Sequence, residues 1–109
     1  CPLSEATKHL INRERLARAK NSLLLVNCAR GGVIDEVAAL EALRSGKLGG
    51  LGVDVLPTEP PRDGHPLLDA LSEQLNLIVT PHNAWITPEA RQNIVSLTAN
   101  NILEWKGAQ

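Results

Sequence analysis

Four side chains that handle charge or protons stand within or just after short apolar runs. Arg30 follows Leu23-Leu24-Leu25-Val26, Asp54 and Glu59 belong to the end of Leu51-Gly52-Val53-Asp54-Val55 and what succeeds it, and His82 follows Leu77-Ile78-Val79-Thr80. An arginine offers a planar fork of donors that grips a carboxylate with two parallel hydrogen bonds. An imidazole has the ordinary pKa nearest neutrality, so it can give and take a proton under physiological conditions. A carboxylate beside that ring orients it and favours its charged form. These types suit acid–base chemistry on a small anionic molecule, provided the fold brings them together.

The apolar runs carry no strict alternation, which predicts strands covered on both faces. Between and beyond them lie helical patterns. Val37 to Ser45 places Val37, Leu40 and Leu43 on one face, with Asp35 as N-cap and Gly46 as the stop. Arg13 to Lys20 reads as a short helix packing through Leu16 and Ala19. Thr87-Pro88-Glu89 is a helix start, with a capping hydroxyl, proline in the first turn and a carboxylate near the positive end. That helix is expected to run to Lys106. Its apolar residues Ile94, Val95, Leu97, Ala99, Ile102, Leu103 and Trp105 spread beyond one stripe, which predicts cover on two sides, by its own sheet and by another subunit or domain. Leu56 to Gln74, with four prolines, is too long for a plain connector and is expected to be functional, with one or two helical turns over Leu67 to Leu71.

The β-α-β rhythm predicts a parallel sheet with right-handed crossovers. Ligands of such sheets sit beyond the carboxyl ends of the strands, where Arg30, Asp54, Glu59 and His82 would converge.

The bulk properties narrow the function classes. The 109 residues suit one small domain, and the sequence contains no methionine, so it is read as a piece of a longer protein. With 11 basic and 12 acidic residues, a net charge of −1 favours neither nucleic acid nor an anionic membrane. No apolar run approaches the roughly 20 residues that span a bilayer, and the reading is a soluble, cytoplasmic chain. Cys1 and Cys28 are expected to be reduced thiols, because they form neither a disulfide framework nor a zinc pattern. No His, Cys and carboxylate cluster has metal-ligand spacing. His9 and His65 are read as ordinary surface residues.

"NCARGGVIDE", "GLGVDV" followed by "TEPP", and "VTPHNAW" resemble, in that order, the signature blocks of the NAD-dependent D-isomer-specific 2-hydroxyacid dehydrogenases. The likeness runs from "CPLSEAT" to the last helix. It implies an α/β fold, the second half of a Rossmann-type doubly wound parallel sheet, with residues 1–109 as the C-terminal part of the dinucleotide-binding domain. It further implies a trio: Arg30 holding the carboxylate of a 2-oxo acid and approaching its ketone, His82 as general acid–base, and Glu59 hydrogen-bonded to the far nitrogen of His82. Asp54 would bind the nicotinamide end of NAD or NADP, with a cap or turn former as its plainer alternative. Cys1, Pro2, Cys28 and Ala29 match positions lining the nicotinamide-ribose side, and Thr7, Arg30, His82 and Ala84 complete that set. "AW" at Ala84-Trp85 is similar to the glycerate dehydrogenase and hydroxypyruvate reductase branch, which points to a small hydroxy acid.

The family's glycine-rich pyrophosphate turn is not in the sequence. Gly49-Gly50-Leu51-Gly52 leads into a strand, and "SGKLGG" lacks the Ser or Thr of a P-loop. The isolated residues are therefore expected to be inactive, with the missing motif and the substrate domain upstream, and the parent is expected to be a homodimer. A dinucleotide-sensing binding protein of the corepressor type on the same fold, and an interaction module built on the last helix, remain open as alternatives.

Overall fold

Short runs of Leu, Ile and Val bounded by Gly and Asn are too brief for helices and pack well on a pleated surface. In the computed structural model, which describes residues 1–107, they form β1 (Leu24–Asn27), β2 (Gly50–Val53) and β3 (Leu77–Val79). The strands pair in parallel in chain order, with Leu25 beside Leu51, Leu51 beside Leu77 and Val53 between Asn27 and Val79. Their three C-terminal ends share one edge, and the expected α/β parallel architecture is present.

Helices α1 (Arg13–Arg18) and α2 (Glu36–Arg44) start on side-chain caps. Asn12 accepts from the Arg15 amide at 3.0 Å and Asp35 from the Ala38 amide at 2.9 Å. Each satisfies an amide that the first helical turn leaves without a partner. After α2 the chain turns at Gly46, whose φ of 74° suits the left-handed stop. Within the proline-rich stretch, α3 (Pro66–Asp69) runs into a 3-10 turn, Ala70–Glu73, held by an ion pair between Glu73 and Arg44 of α2. His65 is more than a surface residue: its Nδ1 accepts from the Leu67 amide at 3.2 Å and caps α3.

Side chains alternate across a strand with period two. Leu51 and Val53 therefore face the same way and join Leu16, Leu40, Leu43 and Leu67 in one aliphatic core, with Leu25, Leu77 and Val79 at its margin. The opposite face differs from the expectation of two covered faces. Leu24, Val26 and Ile78 are 66%, 68% and 64% exposed there, Val26 and Ile78 flanking Gly52 and Leu24 lying beside Gly50.

The last helix supplies the reason. Helix α4 (Pro88–Gly107) starts as expected, Thr87 Oγ1 accepting from the Ala90 amide at 3.2 Å. It then leaves the sheet edge instead of folding back over the bare face. At 20 residues it is about 30 Å long, and it helps stretch the molecule to 58 Å. None of its residues is buried, so the expectation that its own sheet covers it is wrong for these residues.

Candidate functional site

The turn carrying Arg30 is built by side chains that act on backbone. Asn27, the last residue of β1, is 4% exposed. Its Oδ1 accepts from the Ala29 amide at 3.0 Å and its Nδ2 donates to the Arg30 carbonyl at 2.9 Å, closing an Asx turn around Cys28 and Ala29. On the far side Glu36, also buried, accepts from the Gly32 amide at 2.7 Å. Gly31 lies directly on the Leu56-Pro57 peptide, and Gly32 has φ 83°. The Arg30 side chain stays exposed, donating from Nη1 to the Ala29 carbonyl at 2.6 Å.

A second turn carries His82. Asp54, 4% exposed, hangs from β1 through its own amide, which donates to the Asn27 carbonyl at 2.9 Å. Its Oδ1 accepts from Thr80 Oγ1 at 2.6 Å and the Asn83 amide at 2.9 Å, and Oδ2 accepts from the Ala84 amide at 3.0 Å. Burial alone would push this carboxyl up. The Thr80 hydroxyl, the Ala84 and Asn83 amides and the nearby His82 outweigh it and hold the group below the usual carboxylate range. Asp54 is thus the turn former that its plainer reading described. A carboxylate offers about four acceptor positions, and the single bond at Oδ2 leaves room for an amide donor of the kind a nicotinamide carboxamide carries.

Glu59 lies on the strap after β2, just before a cis Glu59–Pro60 bond. Its Oε1 accepts from the Leu56 amide at 2.8 Å and its Oε2 meets His82 Nδ1 at 2.5 Å. The His82 contact first, and the Leu56 amide next, hold the Glu59 carboxyl below its ordinary value, so it is an anion at neutral pH. An anion at that distance makes Nδ1–H the donor and leaves Nε2 as the nitrogen free for a ligand.

This depressed carboxyl has a consequence for stability. A carboxyl lowered in the folded state stabilises the fold above its unfolded pKa and loses that effect as pH falls through the lower folded value. The His82 and Glu59 side chains are 43% and 34% exposed, so the neutral-pH contribution is under about 1 kcal/mol. In denaturation experiments from pH 7 to pH 3, Glu59→Gln is expected to be less stable than the parent at pH 7 and to converge with it toward pH 3. A constant gap across that range would contradict the pairing.

His82, Glu59 and Asp54 line one pocket of about 400 Å³, floored by Leu56, Leu68 and Val79. Arg30 does not line it; it stands at the neighbouring strand end on the same sheet edge. Of the expected trio, Glu59 and His82 are in contact, and the Arg30 guanidinium touches neither. The N-terminal segment runs beside the Arg30 turn through a 2.8 Å bond from the His9 amide to the Gly32 carbonyl. There Thr7 Oγ1 donates to the Pro2 carbonyl at 2.7 Å, tying Cys1 and Pro2 to the same side. Cys28 and Ala84 are exposed, and Ala84 opens a 3-10 turn, Ala84–Ile86.

Asn27, Glu36 and Thr80 brace the two turns and were not singled out from the sequence, and Trp85, noted there only as a mark of the family branch, donates its indole N–H to the His82 carbonyl. An Asn directly after an apolar run is a turn signal and could have identified the first. Glu36 and Thr80 carry no such signal, because the Gly32 amide and the Asp54 carboxylate that they bond are brought to them by the fold.

Known proteins similar to this chain in sequence share its fold. The family described as D-isomer specific 2-hydroxyacid dehydrogenase, NAD binding domain, matches residues 1–84. A glycerate dehydrogenase of Methylorubrum extorquens is 48% identical over 101 residues, covering 93% of this chain and 32% of the relative. The crystal structure of a D-isomer specific 2-hydroxyacid dehydrogenase from Xanthobacter autotrophicus, in complex with NADPH and MES, aligns with 75% of this chain and 25% of its own at 41% identity and a TM-score of 0.64. D-lactate dehydrogenase from Lactobacillus jensenii with NAD+ aligns with all of this chain and 36% of its own at 26% identity and a TM-score of 0.80. The chain thus spans about a third of the length of the curated relative it matches. On the match over residues 1–84, the chain belongs to the D-isomer-specific 2-hydroxyacid dehydrogenase family, within its NAD-binding domain.

Proposed function

We propose that residues 1–109 are the C-terminal part of the dinucleotide-binding domain of a cytoplasmic NAD(P)-dependent D-2-hydroxyacid dehydrogenase acting on a small acid of the glycerate, hydroxypyruvate or glyoxylate type. The observation that carries this reading is the 2.5 Å contact between Glu59 and His82 Nδ1, which leaves Nε2 free on a residue lining a pocket at the sheet edge. The 48% identity to a glycerate dehydrogenase supports the substrate class.

The nicotinamide, when bound, supplies the hydride. This chain's residues hold the acid, move the proton and receive the nicotinamide end. Arg30 takes the substrate carboxylate with its guanidinium fork and turns the carbonyl toward the cofactor. His82 Nε2 gives a proton to the carbonyl oxygen in reduction and takes it back in oxidation. Glu59 holds the ring by Nδ1 and offsets its charge when Nε2 is also protonated. Asp54 Oδ2, Ala84 and the Cys1, Pro2, Thr7, Cys28 and Ala29 side of the edge receive the nicotinamide-ribose. No glycine-rich turn in the sequence suits the pyrophosphate, so the 109 residues alone are expected to be inactive.

A panel of small 2-oxo acids assayed with NADH and NADPH on the intact enzyme tests this reading. Saturable turnover with hydroxypyruvate or glyoxylate is the expected result. Tight binding of either dinucleotide without turnover on any of the acids would favour a cofactor-sensing protein instead. The enzyme is further proposed to be a homodimer, for which the exposed apolar residues of α4 offer surface; a monomer in sedimentation would refute that.

A further inference from the structure

His82 has φ 54°, in the left-handed region that side chains with a Cβ occupy at a cost. Such a conformation persists only where its surroundings over-determine it. Here the backbone is tied on both sides of the residue. The His82 amide donates to the Thr80 carbonyl at 3.0 Å, and its carbonyl accepts from the Trp85 indole Nε1–H at 3.0 Å. The next two amides, of Asn83 and Ala84, both donate to Asp54. The aim of that carboxylate is set in turn by Thr80, whose hydroxyl donates to Oδ1 at 2.6 Å.

We propose that Thr80 and Trp85 are positioning residues for His82, Thr80 acting through the Asp54 carboxylate and Trp85 through its indole N–H. The inference rests on His82 being the acid–base group. Without the Thr80 hydroxyl the carboxylate loses the shorter of the two bonds on Oδ1, and the only one from a side chain, and can rotate away from the two amides. The turn then relaxes from its strained conformation and the ring drifts from Glu59. Removing the indole N–H frees the same turn from its other end. The Thr80 hydroxyl is committed to Asp54 and the Trp85 indole N–H to the His82 carbonyl, so the loss falls on orientation.

Thr80→Val in the intact enzyme keeps the branched shape and deletes the donor, whereas Thr80→Ser keeps the donor. At saturating NADH, Thr80→Val is expected to lower kcat for a 2-oxo acid about 10- to 100-fold while KM for the acid stays within about threefold. Thr80→Ser is expected to stay near the parent rate. A parent-like kcat in Thr80→Val, an equal fall in Thr80→Ser, or a fall carried by NADH affinity alone would overturn the proposal. Should Thr80→Val not fold, Trp85→Phe carries the test from the other side of the turn: lowered kcat at unchanged NADH affinity supports the clamp, and parent-like kcat refutes it. His82→Asn measured alongside separates the two layers. Normal turnover in that variant sinks the acid–base reading, whereas an inactive His82→Asn beside parent-like Thr80→Val and Trp85→Phe sinks only the positioning role.

Discussion

His82→Asn in the intact enzyme is expected to lower kcat for reduction of a small 2-oxo acid by about 10²- to 10⁴-fold, the span that a positioned general acid supplies. Asn is the informative replacement because of the backbone. His82 sits at φ 54°, and Asn is among the few residues that tolerate this region. The turn, with its bonds from the Asn83 and Ala84 amides to Asp54, can therefore survive while the titrating nitrogen is lost. An unchanged thermal midpoint with a collapsed kcat would isolate the proton transfer. A variant within about tenfold of the parent lies outside the range expected of a lost general acid and would contradict the role.

Gly31→Ala is expected to cost stability at or above the upper end of the ~1–3 kcal/mol typical of overpacking. A Cβ at this position would fall 2.0 Å from the Leu56 carbonyl carbon and 2.2 Å from the Pro57 nitrogen. Those atoms are backbone and cannot rotate away, so one strand-end loop must move off the other. The displaced pieces are the turn bearing Arg30 and the strap bearing Glu59. KM for the acid is accordingly expected to rise along with the loss in denaturation midpoint. Gly32→Ala is the matched control: at φ 83° it is strained, but its Cβ would meet only Leu3 side-chain atoms at 3.5 Å. Equal stability losses in the two variants would show that backbone strain, and not the close approach, governs this loop.

The positions of the elements were legible because local chemistry determines them. Asp35 and Gly46 bracket α2 through a cap and a left-handed stop, and Thr87-Pro88 opens α4, each by interactions a few residues long. The convergence of Asp54, Glu59 and His82 on one edge follows from parallel pairing, which the β-α-β rhythm predicts. The bare sheet face was not legible. Leu24, Val26 and Ile78 are as apolar as covered residues, and nothing in a strand's composition says whether a helix returns over it. The same holds for α4, whose spread of apolar residues predicts a covering that the sequence reading assigned in part to its own sheet, which does not cover it. The buried supports of the site were hidden for a different reason. Asn27, Glu36 and Asp54 are the polar side chains buried in the described residues; Asn27 and Glu36 serve amides of their own turn, whereas Asp54 serves amides 29 and 30 residues away that only the folded chain brings within reach.

The most direct test of the central claim is a crystal structure of the intact enzyme with NAD+ and a non-reducible mimic of a 2-oxo acid. The mimic's carboxylate is expected within about 3 Å of the Arg30 guanidinium, and its carbonyl-type oxygen within about 3 Å of His82 Nε2, with Glu59 still on Nδ1. A mimic seated away from the sheet edge, or held there with Arg30 and His82 on opposite sides and out of reach, would contradict the account.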